Sequence, residues 1–343
     1  MRAVVQTGNG GPEVLQVQER PDPSVGPGEV RIAVRAAGIN FADTLARVGL
    51  YPDAPKPPCV MGYEVAGEVE SVGEGVMGYK PGDRVVAGTR FGGQAEVVSV
   101  PEGQVLPLAD RLSYEQGAAI PVNYSTAYSG LVVMAGLKEG ERVLIHAAAG
   151  GVGTAAVQIA RMLGAEVFGT ASASKHDAIR GLGVTHAIDY RSQDFEQEVM
   201  RITDGGGIDV AFDAQGPKSF RKSYRLLRPG GRLVMYGLAE ASTGDGRSIP
   251  RLIESIARMP TATFPWWKSL GMMNENKGVF GLNMLAWWDK EGSIERITGP
   301  LVERIEDGGL EPIVAESFPF DRAGEAHRFI GERRNIGKVV LVP

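Results

Sequence analysis

The sequence predicts an α/β protein of two parts: a β-rich segment, then a doubly wound parallel sheet. Three observations carry this. Residues 1–110 hold short, often alternating apolar segments separated by Gly/Pro/Asp clusters such as GNGGPE, PDPSVGPGE and GEGVMGYKPGD. From Glu141 to about Leu282, strand-like and helix-like patterns alternate. Glycine makes up 47 of 343 residues, without a G-X-Y period, close to twice the usual share of about 7%. At roughly 150 residues per domain, the length suggests two domains.

In the β-rich part the strand candidates are Arg2–Gln6, Leu15–Glu19, Glu29–Ala37, Glu64–Val72, Arg84–Ala87 and Gln94–Val98, with one helix at Asn40–Val48. The texture changes at Ser113, where Gln116 three residues on completes a capping-box pattern opening two helical stretches. Strands follow at Arg142–Ala147, Ala165–Thr170, His186–Asp189, Ile208–Asp213, Arg232–Gly237 and Gly278–Leu282. Helical patterns lie between them at Val152–Leu163, Lys175–Leu182, Asp194–Ile202, Lys218–Leu227 and Ile249–Arg258. A last helix, Ala323–Arg333, and strand, Lys338–Val342, are expected to return to the N-terminal part.

Composition narrows the function. The chain is 43% apolar and 22% charged, with a net charge of −5, which argues against nucleic-acid binding. No run of about 18 apolar residues is present, so no membrane span is expected. The N-terminus lacks an apolar leader core, and Cys59 is the single cysteine. Neither a secretory signal, nor an intramolecular disulfide, nor a thiolate metal cluster is expected, and a cytoplasmic setting fits.

The sharpest local signal is ERVLIHAAAGGVGTAAVQIARMLGAEVFGT. A buried strand enters a glycine turn, a helix with an apolar stripe follows, Gly164 ends it, and a second strand begins. This is the context of a dinucleotide fingerprint. Gly150, Gly151 and Val152 would present backbone N–H groups at a helix N-terminus to a pyrophosphate. A glycine turn needed only for helix–sheet packing is the alternative. The second strand ends in Gly169-Thr170-Ala171-Ser172-Ala173-Ser174-Lys175-His176. It lacks the carboxylate that usually holds the ribose of NAD. Ser172 and Lys175 suit a 2′-phosphate, so NADPH is the expected cofactor; they can equally serve as helix cap and surface charge.

Further segments resemble the medium-chain dehydrogenase/reductase superfamily: Gly62-Tyr63-Glu64-Val65-Ala66-Gly67-Glu68-Val69 with Val72-Gly73, Lys80-Pro81-Gly82-Asp83-Arg84-Val85, and Gly337-Lys338-Val339-Val340. Ala37-Gly38-Ile39-Asn40-Phe41-Ala42-Asp43 and Gly49-Leu50-Tyr51-Pro52 resemble its zinc-free quinone oxidoreductase branch. Pro121-Val122-Asn123-Tyr124, the Gly169–His176 run, Val184–Tyr190 and Trp266–Leu282 look most like the vesicle-amine-transport (VAT) protein subgroup. The resemblance spans essentially the whole chain. It implies a GroES-like catalytic domain of residues 1–122 and 284–343 around an inserted Rossmann domain of residues 123–283. It also implies NADPH use and homodimers, with Gly278–Leu282 as the dimer-edge strand. To the cofactor set it adds Asn40, Thr126, Tyr190, Phe280, Leu282 and Asn335.

Zinc-dependent relatives carry histidine where this chain has Tyr63. Its four histidines are His146, His176, His186 and His327, so residues 1–122 contain none. A catalytic zinc needs three protein ligands and a structural one four, and no metal is expected. Leu45 stands where several quinone oxidoreductases carry a tyrosine. Without a metal, a hydride acceptor must already be electrophilic: a quinone, enone or enal. Asn40, Tyr51, Tyr63 and Tyr124 are candidates to stabilise its developing oxyanion. Asn40 reads equally as orienting the nicotinamide ribose, Tyr51 as loop packing, and Glu64 and His146 as structural. Phe264, Trp266, Trp267, Trp287 and Trp288 are candidates for an apolar acceptor pocket or for packing. Leu238–Asn276, broken by Gly244, Gly246, Pro250, Pro260 and Pro265, reads as a moving cover. Two rival functions stand beside the reductase: an enoyl-thioester reductase, and an NADPH-binding protein that acts mainly through partners.

Overall fold

The computed structural model describes residues 1–239 and 269–343, which fall into two units. The first comprises Met1–Ser125 and Met284–Pro343; the second comprises residues 126–239 and 269–283.

The first unit contains strands β1 (Arg2–Gln6), β2 (Leu15–Glu19), β3 (Glu29–Ile39), helix α1 (Phe41–Arg47), β4 (Cys59–Val60), β5 (Glu64–Val72), β6 (Arg84–Gly88), β7 (Val97–Pro101) and β8 (Val105–Pro107). Short helices α2 (Tyr114–Gly117) and α3 (Pro121–Tyr128) follow, α3 running across the boundary of the two units. β3 organises this unit. Its alternation sends Val30, Ile32 and Val34 into a core shared with Val65, Val69, Val85, Val98 and Val100. One side of β3 pairs with β5. The other pairs first with β7, over Glu29–Ala33, and then near Ile39 with a strand from the far end of the chain.

The second unit is the parallel sheet. Its strands are β9 (Arg142–Ile145), β10 (Glu166–Ala171), β11 (His186–Asp189), β12 (Ile208–Asp213), β13 (Leu227–Met235) and β14 (Gly278–Gly281), in the order β11-β10-β9-β12-β13-β14. Each neighbouring pair is parallel. Helices α4 (Gly151–Met162), α5 (His176–Leu182), α6 (Phe195–Ile202), α7 (Pro217–Leu226) and α8 (Ser269–Glu275) lie between strands in sequence. The order reverses between β9 and β12, which is where doubly wound sheets bind ligands.

The chain then re-enters the first unit through α9 (Met284–Glu291), α10 (Glu295–Glu306), β15 (Val314–Pro319), α11 (Ala323–Gly331) and β16 (Lys338–Val342). β16 pairs antiparallel with β3. The tail therefore does return to the N-terminal part.

Several expectations shift. The strand expected at Gln94–Val98 lies at Val97–Pro101. The Gln94 backbone is already engaged, donating to Met61 and accepting from Val4, so it cannot join the β3 ladder. The strand expected at Arg232–Gly237 begins earlier, because Leu227 pairs with Ile208 and a bulge absorbs the Pro-Gly-Gly stretch. β4, β8, β15, α9 and α10 add to the expected elements. The expected helix Ile249–Arg258 lies outside the described residues, as do Phe264, Trp266, Trp267 and most of the Leu238–Asn276 cover.

Candidate functional site

In the second unit, β9 ends and the backbone turns through His146 and Ala147. Ala147 takes a left-handed φ of 51°, and Gly150 N–H donates to its carbonyl at 2.8 Å. Gly150 is the N-cap of α4, with no side chain capping it. The first-turn N–H groups of α4 therefore receive no such cap, with the positive end of the helix dipole behind them. Gly153 must be glycine for packing: a Cβ there would stand 2.2 Å from the Ala147 carbonyl oxygen.

A buried polar chain holds this turn from behind. Thr170 Oγ1, at the end of β10, accepts the Ala147 N–H at 3.2 Å and lies 3.2 Å from His146 Nδ1. His146 Nε2 is 3.1 Å from Ser223 Oγ, and Ser223 donates to Asp213 Oδ2 at 2.7 Å. Ser219 Oγ and Gln215 N–H also donate to Asp213, at 2.6 and 2.8 Å. Every hydrogen has an acceptor when Thr170 donates to Nδ1 and His146 carries its proton on Nε2. Burial depresses the His146 pKa, against the opposing pull of Asp213. His146 is thus a satisfied core histidine.

The ends of β10 and β11 carry the other expected cofactor residues. Ser172 is 6% exposed, and its Oγ lies 3.4 Å from Ser174 Oγ. Ser172 precedes a short 3-10 turn, Ala173–Lys175, without capping it through its side chain. Tyr190 is 38% exposed, with the Arg191 guanidinium 6.0 Å from its ring centre. Asp189 is tied into its own turn, accepting from Ser192 Oγ at 2.8 Å and Arg191 N–H at 3.1 Å. Thr126 lies in α3, Phe280 on β14, and Leu282 just beyond it. The sheet therefore gathers Gly150–Val152, Ser172, Lys175 and Tyr190 at the C-terminal ends of three adjacent strands.

The first unit carries a separate group. Asn40 caps α1, and its N–H donates to Asp43 Oδ2 at 2.7 Å. Its side chain is held twice: Nδ2 donates to Glu64 Oε1 at 2.9 Å, and Oδ1 accepts from Lys338 Nζ at 2.6 Å. Lys338 and Glu64 form a sealed ion pair, and Glu64 Oε2 also accepts the Val122 N–H at 2.7 Å. Glu64 is therefore structural, as expected. Asn335 donates to Gly337 O at 2.8 Å and belongs to this unit.

Beside this lattice stands an aromatic group. The Tyr63 ring meets Tyr51 edge-on at 6.2 Å and Phe91 at 5.4 Å. Tyr63 is 3% exposed, and its hydroxyl has no hydrogen-bond partner among the described residues. Burial, reinforced by the Asp43 charge, pushes its pKa far above the usual phenol range. Tyr51 is raised to about 12, again mainly by burial. Asp43 is fully buried, and burial lifts it to about 7 against the pull of the Asn40 and Gly62 backbone N–H groups and of Lys338. Asp43, Phe91 and Lys338 extend the expected set. Asp43 was legible three residues after Asn40, as the acid of an N-capping pattern. Lys338 carried only its motif position. Among the described residues, no cluster of three or more His, Cys, Asp or Glu side chains could hold a metal.

Fold and site together define a two-part α/β protein with a Rossmann-type parallel sheet. Residues 26–110 match the alcohol dehydrogenase GroES-like domain family, and residues 151–258 match the zinc-binding dehydrogenase family. The chain is 39% identical to the human synaptic vesicle membrane protein VAT-1 homolog over 354 residues, covering 100% of this chain and 86% of that one. It resembles the Escherichia coli quinone oxidoreductase solved with NADPH, at 30% identity, a TM-score of 0.85 and full coverage of both chains. It also resembles the CurK enoyl reductase, at 29% identity, a TM-score of 0.85 and 99% coverage of each chain. The chain belongs to the medium-chain dehydrogenase/reductase superfamily, close to VAT-1 homologues and quinone oxidoreductases.

Proposed function

We propose that this oxidoreductase is a zinc-independent, NADPH-dependent reductase of quinones or of carbon–carbon double bonds conjugated to a carbonyl. The observation that carries the reading is the α4 N-terminus, without a side-chain cap, at the point where the strand order reverses. The similarity to a quinone oxidoreductase solved with NADPH supports it.

The residues present fit the cofactor, because Gly153 leaves the turn close to the helix and no side chain occupies the cap. NADPH, when bound, supplies the hydride. Gly150, Gly151 and Val152 would hold its pyrophosphate, Ser172 and Lys175 its 2′-phosphate, and Tyr190 would flank the adenosine ribose. In the second unit Thr126, Phe280 and Leu282 would hold the nicotinamide half; in the first, Asn40 is held rigid by Glu64 and Lys338. Tyr51 and Tyr63 keep their protons at neutral pH, so they act as hydrogen-bond donors to the acceptor oxygen. Asp43, with a pKa of about 7, is a proton reserve beside them.

The test is NADPH consumption with a panel of quinones, enones and one enoyl thioester. The thioester is included because of the similarity to an enoyl reductase. Steady turnover with a quinone or enone is expected. Turnover confined to the thioester moves the assignment to enoyl-thioester reduction. No consumption with any acceptor overturns the enzymatic reading and favours a role through partners.

A further inference from the structure

A left-handed residue stands in the turn between β9 and α4. Ala147 has a φ of 51°, a conformation that costs energy for any residue with a Cβ and persists only where its surroundings hold it. Ala147 is itself exposed, so burial of its methyl group is not what holds it. Thr170, at the end of β10, does so through hydrogen bonds. Its Oγ1 accepts the Ala147 N–H at 3.2 Å, and its carbonyl accepts the Ala148 N–H at 3.0 Å. One residue thus grips the peptide N–H groups on both sides of the strained Cα.

A hydroxyl rotates, and it accepts well from Ala147 only while its own hydrogen points elsewhere. The direction of that hydrogen is set at the far end of the buried polar chain. Gln215 N–H and the hydroxyls of Ser219 and Ser223 converge on the buried Asp213, and a carboxylate only accepts. Ser223 therefore donates to Asp213 and accepts from His146 Nε2, 3.1 Å away. That leaves His146 Nδ1 as an acceptor, and it takes the Thr170 hydrogen at 3.2 Å. A Thr170 lone pair is then left facing the Ala147 N–H. Phe195 stands edge-on against the imidazole at 4.6 Å and steadies its plane. Asp213, Ser223, His146 and Thr170 are all buried, so they act on the turn from behind.

We propose that Asp213, Ser223, His146 and Thr170 are positioning residues for the cofactor: their one-way chain of hydrogen bonds holds Ala147 left-handed and so sets the backbone N–H groups that take the pyrophosphate. The proposal rests on the reading of the α4 N-terminus as the NADPH pyrophosphate site. It gives the buried polar chain a task in cofactor affinity beyond packing.

Equilibrium binding to the full chain tests it without requiring turnover. The probes are NADPH and adenosine 2′-monophosphate, which carries the 2′-phosphate and no pyrophosphate. Thr170→Val keeps the shape of the side chain and removes its hydroxyl. It should weaken NADPH roughly threefold to tenfold and leave adenosine 2′-monophosphate unchanged. Thr170→Ser, which keeps the hydroxyl, should bind NADPH like wild type. Glycine enters the left-handed region freely, so Ala147→Gly in the Thr170→Val background should recover most of the loss. Asp213→Asn approaches the turn from the far end. Gln215 N–H keeps the amide oxygen on its own side, so the amide NH₂ faces Ser223 and reverses the chain. Imidazole nitrogen NMR should show the His146 proton moved from Nε2 to Nδ1, with NADPH weakened and adenosine 2′-monophosphate unchanged. NADPH affinity that survives Thr170→Val or Asp213→Asn, or that falls in step with adenosine 2′-monophosphate, overturns the proposal. Wild-type protein that binds no NADPH overturns the cofactor reading and the proposal with it. Wild-type binding that the variants leave intact overturns the positioning role alone and leaves the reductase reading standing.

Discussion

Lys338 on β16 and Glu64 on β5 form an ion pair with side chains only 1% and 0% exposed, and together they hold both ends of the Asn40 amide. Breaking a buried pair from one side leaves an uncompensated charge and costs about 3–5 kcal/mol. Lys338→Met should therefore destabilise the protein by that order in urea unfolding. The double variant Lys338→Met/Glu64→Gln should recover much of the loss. If the double variant is as unstable as the single, the charge is not what the pair supplies.

Asp43 makes stability fall as pH rises from about 4 to neutrality. Its folded pKa of about 7 lies above the ordinary 3.8. A raised value means stability is fully present below pH 3.8 and declines as pH rises toward 7, by about 4 kcal/mol in all. Asp43→Asn should therefore melt higher than wild type at pH 8, with the gap closing near pH 4. A gap that does not change with pH would refute the buried carboxyl.

His327 acts on the acid side. It is 1% exposed, both ring nitrogens lack partners among the described residues, and burial with the nearby Arg47 charge lowers it from 6.5 to about 3. A depressed value means stability is present above pH 6.5 and lost as pH falls toward 3, by about 5 kcal/mol in all. His327→Leu should lose less melting temperature than wild type between pH 7 and pH 4. Parallel curves would show that other groups govern acid unfolding.

Cofactor choice tests the end of β10. Lys175→Ala should weaken NADPH binding about tenfold or more while changing NADH little, because a charged hydrogen bond contributes about 1.5–3 kcal/mol. Equal losses for both cofactors would remove Lys175 from the 2′-phosphate.

Assembly follows from β14, which pairs only with β13 among the described strands and carries Phe280, 37% exposed. Open edges invite pairing, and a two-fold axis closes them symmetrically. Light scattering at micromolar concentration should give a homodimer; a monomer would contradict this.

The glycine turn between β9 and α4 was readable in the sequence because strand, glycines, helix and strand follow one another within thirty residues, and local signals suffice. The Asn40 lattice was not readable. Lys338 meets Glu64 across 274 positions, and nothing near either residue announces the other. Gln94 was misplaced into a strand for a related reason: its backbone is claimed by β1 and by Met61, which are distant in sequence. Helix α9 escaped notice because Leu285 and Trp288 alone mark its buried face, and tryptophan is a weak helix former. The buried Tyr63 hydroxyl and Asp43 carboxyl are facts of burial, which residue type does not reveal.

The insertion of β16 beside β3 bears on how the polypeptide matures during translation. Residues Ala37–Ile39 are made some three hundred residues before their ladder partners, Val339–Leu341. The six-stranded parallel sheet in between has all its partners at hand earlier and can form as a domain on the ribosome. Throughout that interval the first unit carries an open strand edge and a carboxylate awaiting its cation. A nascent chain in this condition is a target for chaperone holding and for wrong edge pairing. Its vulnerability in the cell is therefore set by the time spent waiting for Lys338, rather than by the stability of the finished fold.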